Sequence, residues 1–405
     1  MTADILFLAH RIPFPPDRGD KIRSWHLLRH ASALARVHLA CFADDEADAA
    51  HLPALRAAIG DRLGEAHVEV RRSGKASAGA RALLGRKPVS LTLFDSARLR
   101  AFVDRQLATG RIGTVFAFSG QMAQFVPERV RQRFVMDLCD VDSAKFAQYA
   151  EEGAGPMRWV HRREAQRLAA FEAATAERAD AVTFVSEAEA ALFRRRTGLA
   201  NIHALSNGID LGFFDPEADF PRLAPEERGE GPLLLFTGQM DYPPNIDAVC
   251  WFAQHVLPMV TGARFVVAGR NPTAEVRALA SDRIIVTGAV PDIRTWLAAA
   301  DLVVAPLRIA RGIQNKVLEA MSMASPVVAT GAAFEGIEAE PGRELIVADG
   351  AKGMAQACRR LLASPADAQA LARAARGRME QSYSWEQRLA PLSDLLFPAS
   401  RKAAA

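Results

Sequence analysis

The chain of 405 residues is poor in several things. Its four cysteines, Cys41, Cys139, Cys250 and Cys358, stand far apart with no CxxC spacing. That excludes a disulfide framework and a cysteine zinc site, and points to a reducing compartment. No run approaches the ~20 apolar residues of a membrane-spanning helix. The opening MTADILFLAH lacks the basic region and the apolar length of a signal peptide. Formal net charge is only +3, so there is no global electrostatic case for a nucleic-acid partner. No GxGxxG fingerprint occurs, which removes the main sequence support for an NAD-dependent enzyme. These absences suit a cytoplasmic protein, with peripheral contact at the inner face of the cell membrane as its one membrane option.

What is present is apolar material in a regular arrangement. Half of the residues are hydrophobic and 24% are charged, enough for real cores. Short apolar runs alternate with longer Ala-, Leu-, Arg- and Glu-rich segments of helical spacing. The first seven are ILFLA, VHLACF, HVEV, TVFAF, FVMDL, AVTFV and IHAL. LLLFTG, RFVVAG, RIIVTG, LVVAPL, PVVAT and ELIVAD follow. Most are too continuously apolar for strands with one wet face, so they suit parallel strands covered on both sides. The expected fold class is α/β, with two doubly wound sheets. The expected domains are residues 1–212 and 233–382, joined by a Pro-, Glu- and Gly-rich linker, 213–232. The amphipathic tail Tyr383 to Phe397 can pack on either domain, and a return to the first is the arrangement expected here.

In open parallel sheets, ligands sit beyond the carboxyl ends of the strands, so residues that follow strands carry the information. RIARGIQNKVLEAMSMASPVVAT, Arg308 to Thr330, follows LVVAPL. It brings Arg308, Arg311 and Gly312 to the start of a helix near Asn315. Free N–H groups and the helix dipole favour an anion there, Arg311 and Lys316 add charge, and Gly312 permits close approach. Glu319, one turn in and on the face of Asn315, suits a diol. Diphosphate plus ribose describes the nucleotide part of a sugar nucleotide. A surface helix with an ordinary Lys–Glu pair is the plain alternative. AHRIPFPPDRGDKIRSWHLLRH offers a second proline-stiffened loop feeding a helix start, with Gly19 and Asp20 at the turn. FVMDLCDVDSAKFAQYA places Asp140 and Asp142 past a strand, with Lys145 beyond. Two such carboxylates serve as a base, a hydroxyl clamp or a metal site. Ser119, Gly120 and Gln121 follow TVFAF and can line a pocket.

Several stretches carry a resemblance: HRIPFPPDRGDKIRSWHLLRH, MDLCDVDSAKFAQYA, FTGQMDYPPNIDAVCWF and PLRIARGIQNKVLEAMSMASPVVAT. They resemble GT-B glycosyltransferases of the family 4/family 1 type. More narrowly, they resemble sugar transferases associated with bacterial exopolysaccharide and PEP-CTERM loci. The resemblance implies two Rossmann-like domains facing each other across a cleft. It also implies a nucleotide-diphosphate sugar as co-substrate, and no cofactor or metal. On this similarity Glu319 matches the glutamate that holds the donor ribose, and Arg311 stands where the first glutamate of that pair belongs. The usual Arg and Lys after the first strand of the second domain are replaced within GQMDYPPN. Arg308, Arg311 and Lys316 are therefore expected to take over the phosphate, with Arg270 a weaker candidate and Gly19, Asp20, Gly238, Gly312 and Asn315 completing the donor site.

Asp140, Asp142 and Arg311 are the expected catalytic residues, with His10 and His26 as alternatives. Ser119, Gln121 and Lys145 are expected on the acceptor side. The D-V-D triplet copies a metal-binding pattern of the other major glycosyltransferase fold, but this fold uses basic residues and helix dipoles instead. Basic RRSGKASAGARALLGRKPVS, Arg71 to Ser90, suits anionic lipid and a polyprenyl-linked glycan acceptor. The implied activity is hexosyl transfer to a hydroxyl of a growing exopolysaccharide glycan, with retention. The rivals are a sugar-nucleotide epimerase of the same fold and a catalytically silent sugar-nucleotide-binding subunit.

Overall fold

The computed structural model describes residues 3–71, 87–152, 155–309 and 313–398. The thirteen expected apolar runs all form strands, in two parallel sheets. In the first are β1 (Asp4–Ala9), β2 (Val37–Ala43), β3 (Leu63–Val70), β4 (Ile112–Phe118), β5 (Arg133–Cys139), β6 (Ala181–Phe184) and β7 (Ile202–Ala204). Their order is β3-β2-β1-β4-β5-β6-β7. In the second, β8 (Leu233–Thr237), β9 (Arg264–Ala268), β10 (Ile284–Gly288), β11 (Leu302–Ala305), β12 (Val327–Ala329) and β13 (Ile346–Val347) run in the order β10-β9-β8-β11-β12-β13.

The continuous apolar runs have a simple cause. In β1, Leu6 and Leu8 pack into a core with Phe42, Phe94 and Phe102. Phe7, on the opposite face, stacks on Phe116 at 5.0 Å between ring centroids. Helices cover both faces, so no position along the strand can be polar without cost. The second sheet is built the same way around Leu233 to Phe236, with Phe252 against Phe265 at 4.6 Å.

The two units meet the chain at other points than the composition suggests. One comprises residues 1–207 and 388–405, the other residues 208–387. The segment 213–232, expected as a linker, therefore belongs to the second unit. Phe220 is buried in that unit's core. Arg294 donates to Phe213 O at 3.1 Å, and Arg376 to Phe214 O at 2.7 Å. Two phenylalanines fasten a stretch whose Pro, Glu and Gly content reads as spacer. The last helix, Trp385–Leu396, crosses the second boundary. From Arg388 on it belongs to the first unit. There Thr114 Oγ1 donates to Leu396 O at 3.0 Å, and Ser393 meets His30 at 3.0 Å.

Each sheet has one place where chain order reverses, between β1 and β4 and between β8 and β11. Strand-end loops splay apart at such switch points and leave a crevice. Gly19, Asp20, Ser119 and Gln121 follow β1 and β4, and Gly238, Arg308, Lys316 and Glu319 follow β8 and β11.

Candidate active site

In the second unit the loops after β8 and β11 flank the switch point. Gly238 follows β8, and a Cβ there would lie 2.8 Å from the Asn245 side chain. A Cβ on Gly269, after β9, would overlap Gly238 O, so these two backbones touch only because Gly269 lacks a side chain. This close floor lets buried Asn245 reach across. Its Nδ2 donates to Gln239 O at 2.9 Å, and its Oδ1 accepts from Lys316 at 2.6 Å. Lys316 lies in the first turn of the helix Asn315–Ser322, with its ammonium 4.7 Å from the centroid of the Phe236 ring. Burial of that ammonium pushes its pKa down to about 8, against the opposing pull of Glu319.

Glu319 sits one turn further on, and burial raises its carboxyl to about 7, with the Lys316 charge opposing. Each residue keeps some exposed surface, but its charged end is poorly solvated. Among the described residues no donor reaches the Glu319 carboxylate. A helix start, an enclosed cation and a carboxylate without a donor thus share one strand end. That arrangement can hold a phosphate and accept hydrogen bonds from a diol.

The other donor-side residues are placed differently. Arg308 is held by Asp247, donating through Nε at 2.9 Å and also through Nη2. Arg270 donates to Gln239 Oε1 at 3.2 Å, on the outer side of the same loop. Asn315 is exposed at the helix start. Arg311 and Gly312 lie outside the described residues. Sequence reading missed the roles of Asn245 and Asp247, although the Pro-Pro-Asn turn after a strand-end glycine was a signal for the first.

In the first unit Gly19 opens the helix Gly19–Leu34 instead of bending a loop. Asp20 is enclosed by two cations, Arg11 at 2.5 Å and Arg18 at 3.4 Å, and by the His10 imidazole at 3.2 Å. These neighbours hold its carboxyl well below the usual range, against the opposing effect of burial. Asp44 accepts from Arg11, Arg18 and Arg71 at 3.0, 2.7 and 2.9 Å. Lys21 reaches Asp48 at 2.5 Å. Deeper, fully buried Arg23 pairs with Asp137 at 2.6 Å, and Thr183 Oγ1 donates to the same carboxylate at 2.8 Å. Arg23 also donates to Asn207 at 2.7 Å. Burial lowers the pKa of His10, whose Nδ1 has no partner among the described residues.

Ser119 and Gln121 follow β4, and Asp140, Asp142 and Lys145 follow β5 beside it. Each strand runs into a non-glycine residue with left-handed backbone, Ser119 at φ 74° and Cys139 at φ 67°. Such conformations cost about 1–2 kcal/mol and gather at functional strand ends. Ser119 Oγ donates to Gln121. After Cys139, Asp140 is exposed and Asp142 half-buried, and Asp142 opens the helix Asp142–Glu152. Asp140 keeps exposed surface, but partial desolvation of each carboxyl group raises both above the usual range, and the charge of exposed Lys145 pulls both back. Buried Glu172 accepts from Ser143 N at 3.0 Å and Ser143 Oγ at 2.6 Å, and so fixes the turn that presents Asp142. Glu172 left no mark in the sequence reading.

The comparisons bear on the fold. A sucrose-phosphate synthase from Thermosynechococcus elongatus superposes with a TM-score of 0.66 and 16% identity, covering 97% of this chain and 98% of that one. HepE from Anabaena, in complex with UDP, gives 0.62 and 16%, covering 98% and 99%. A glycosyltransferase from Rickettsia africae gives 0.63 and 13%, also covering 98% and 99%. The chain has the GT-B fold. Residues 231–364, the larger part of the second GT-B unit, match the family described as Glycosyl transferases group 1. No curated protein sequence matches the chain. The matched stretch contains Gly238, Asn245, Lys316 and Glu319. Among the described residues no helix of this GT-B chain is long and apolar enough to cross a membrane.

Proposed function

We propose that the protein is a glycosyltransferase that moves a sugar from a nucleoside-diphosphate donor to a hydroxyl of a glycan. The observation that carries this reading is the pairing of Lys316 with the start of the helix Asn315–Ser322, and Glu319 one turn on without a donor among the described residues. Lys316 and the first helical N–H groups offset the charge that grows on the leaving diphosphate. Glu319 accepts from the ribose hydroxyls. Asp142, with a raised carboxyl at a fixed turn, takes the proton from the acceptor hydroxyl. The family match over this stretch and the printed complexes of HepE with UDP and UDP-glucose support the same donor chemistry. The finer reading is hexosyl transfer with retention and without a metal, onto a lipid-linked exopolysaccharide glycan.

The test is calorimetric titration with UDP, GDP, ADP and TDP, with and without EDTA. One nucleotide should bind, insensitive to EDTA, and Glu319→Ala should weaken it. Equal affinity in that variant would remove the ribose role. Asp142→Asn should keep nucleotide binding and lower sugar transfer to an acceptor extract at least tenfold. Undiminished transfer would take Asp142 off the catalytic list.

A further inference from the structure

Two cations follow β11, and a single helix, Pro243–Trp251, holds both. Asn245 and Asp247 stand two residues apart on it, so they point to different sides. Asp247 accepts from Nε and Nη2 of Arg308 and forms an ion pair with it. Asn245 accepts from Lys316 at 2.6 Å through a neutral carbonyl oxygen. One cation is neutralised by its holder, and the other is not.

The Asn245 amide fits only one way round. Its Nδ2 donates to Gln239 O at 2.9 Å. Turned over, it would set its own N–H groups against an ammonium and its oxygen against a carbonyl oxygen. Asn245 is buried, and the missing Cβ of Gly238 leaves room for it. Lys316 spends one of its three N–H donors on the amide and keeps two. The Phe236 ring lies 4.7 Å from the ammonium. Glu319, on the same helix, is the charge that acts on Lys316. Asp247 is taken by Arg308, Asp241 accepts from Asn271 at 3.2 Å, and Arg270 donates to Gln239 at 3.2 Å. Among the described residues no carboxylate lies within ion-pair distance of Lys316.

We propose that Asn245 is a positioning residue for sugar transfer: it fixes Lys316 at the helix start and leaves the positive charge free for the donor diphosphate. An acidic residue at the same place would fix the lysine equally well and cancel its charge. The inference rests on the donor reading given above.

The test has two readouts. Acetic anhydride labelling of Lys316 from pH 6 to 10, read by mass spectrometry, needs no nucleotide. Its midpoint should lie near 8 in the parent. It should move down in Asn245→Ala, which loses an acceptor for the charged form, and up in Asn245→Asp, which gains an anion. The second readout is titration over the same pH range with UDP, or with GDP, ADP or TDP if the parent binds that one. If the midpoint falls by about one pH unit, Asn245→Ala should bind about fivefold more weakly at pH 8 and nearly as the parent does at pH 6. Asn245→Asp should bind at least about tenfold more weakly at pH 7, although its lysine is fully charged, because the new carboxylate opposes the diphosphate. In a Lys316→Met background Asn245→Ala should change affinity less than about twofold. That comparison decides the matter even where Asn245→Asp folds poorly. Equal weakening at every pH and in both backgrounds would make Asn245 a purely structural residue and overturn the proposal, as would midpoints that neither variant moves. Midpoints that move in a chain that binds none of the four nucleotides would overturn the donor reading, and the diphosphate role of Asn245 with it, while its hold on Lys316 stands.

Discussion

The loop after β1 and the loop after β11 look alike in sequence. Each leaves a parallel strand, gathers arginines and a glycine, and feeds a helix with a carboxylate near its start. In the structure they differ in how charge is settled. In the first, Asp20 and Asp44 are shared among Arg11, Arg18 and Arg71, and Lys21 is matched by Asp48. In the second, Lys316 is held by a neutral amide and Glu319 has no described donor. Both pKa values are displaced toward neutrality, Lys316 down to about 8 and Glu319 up to about 7. A network that is already matched holds the fold, whereas one left unmatched is built for something that arrives later. The same motif is thus charge-matched in one unit and left open in the other, where the proposed donor site lies.

The sharpest way to break this contrast is Arg23→Ala, in the helix that the first loop feeds. It strands the fully buried Asp137 carboxylate and should cost about 3–5 kcal/mol, measured by urea unfolding of the first unit. Nucleotide affinity of the folded protein should not change; a large loss would mean that the first helix belongs to the donor site. Next comes Glu319→Gln, which should weaken nucleotide binding about 10- to 100-fold, because hydrogen bonds to a charged acceptor contribute about 1.5–3 kcal/mol.

The same variant should raise stability at pH 8. The folded pKa of Glu319 lies above its unfolded value, so its contribution is full below pH 4.5 and lost as pH rises through about 7. A neutral amide does not suffer that loss. If the Glu319→Gln variant melts below the parent at pH 8, the carboxylate is paired after all.

A third effect concerns affinity against pH. Glu319 must be ionised to accept from a diol, and Lys316 must be charged to hold phosphate. Affinity should rise through about pH 7 and fall above about pH 8. Glu319→Gln should remove the acid limb and Lys316→Met the alkaline one. A flat profile between pH 6 and 9 would assign the binding to other groups. The smallest effect is expected for Asp44→Asn, which loosens a partly exposed network and should cost about 1 kcal/mol in melting, with affinity within twofold of the parent.

Much of the fold was legible because both faces of each strand are covered, which forces continuous apolar runs. The helix start at Asn315 and the carboxylate one turn in were legible for a similar reason, since they are local. Partners distant in sequence were not. Arg23 and Asp137 are 114 residues apart, and Lys316 and Asn245 are 71 apart. Nothing near Asp20 shows that it is already enclosed by arginines. Composition misled at 213–232, where the anchoring depends on the single side chains of Phe214 and Phe220 and not on the average of the segment.

The discontinuous first unit has a consequence for synthesis. Its sheet is complete once β7 emerges, yet the residues that meet Thr114, Arg133 and His30 come from the last helix. Between Asn207 and Arg388 the ribosome must add the 180 residues of 208–387. At about 5–20 residues per second this takes on the order of ten to forty seconds. During that interval the second unit can fold as an uninterrupted block while the first waits with an uncovered flank. The unit that begins the chain is therefore the last to be finished.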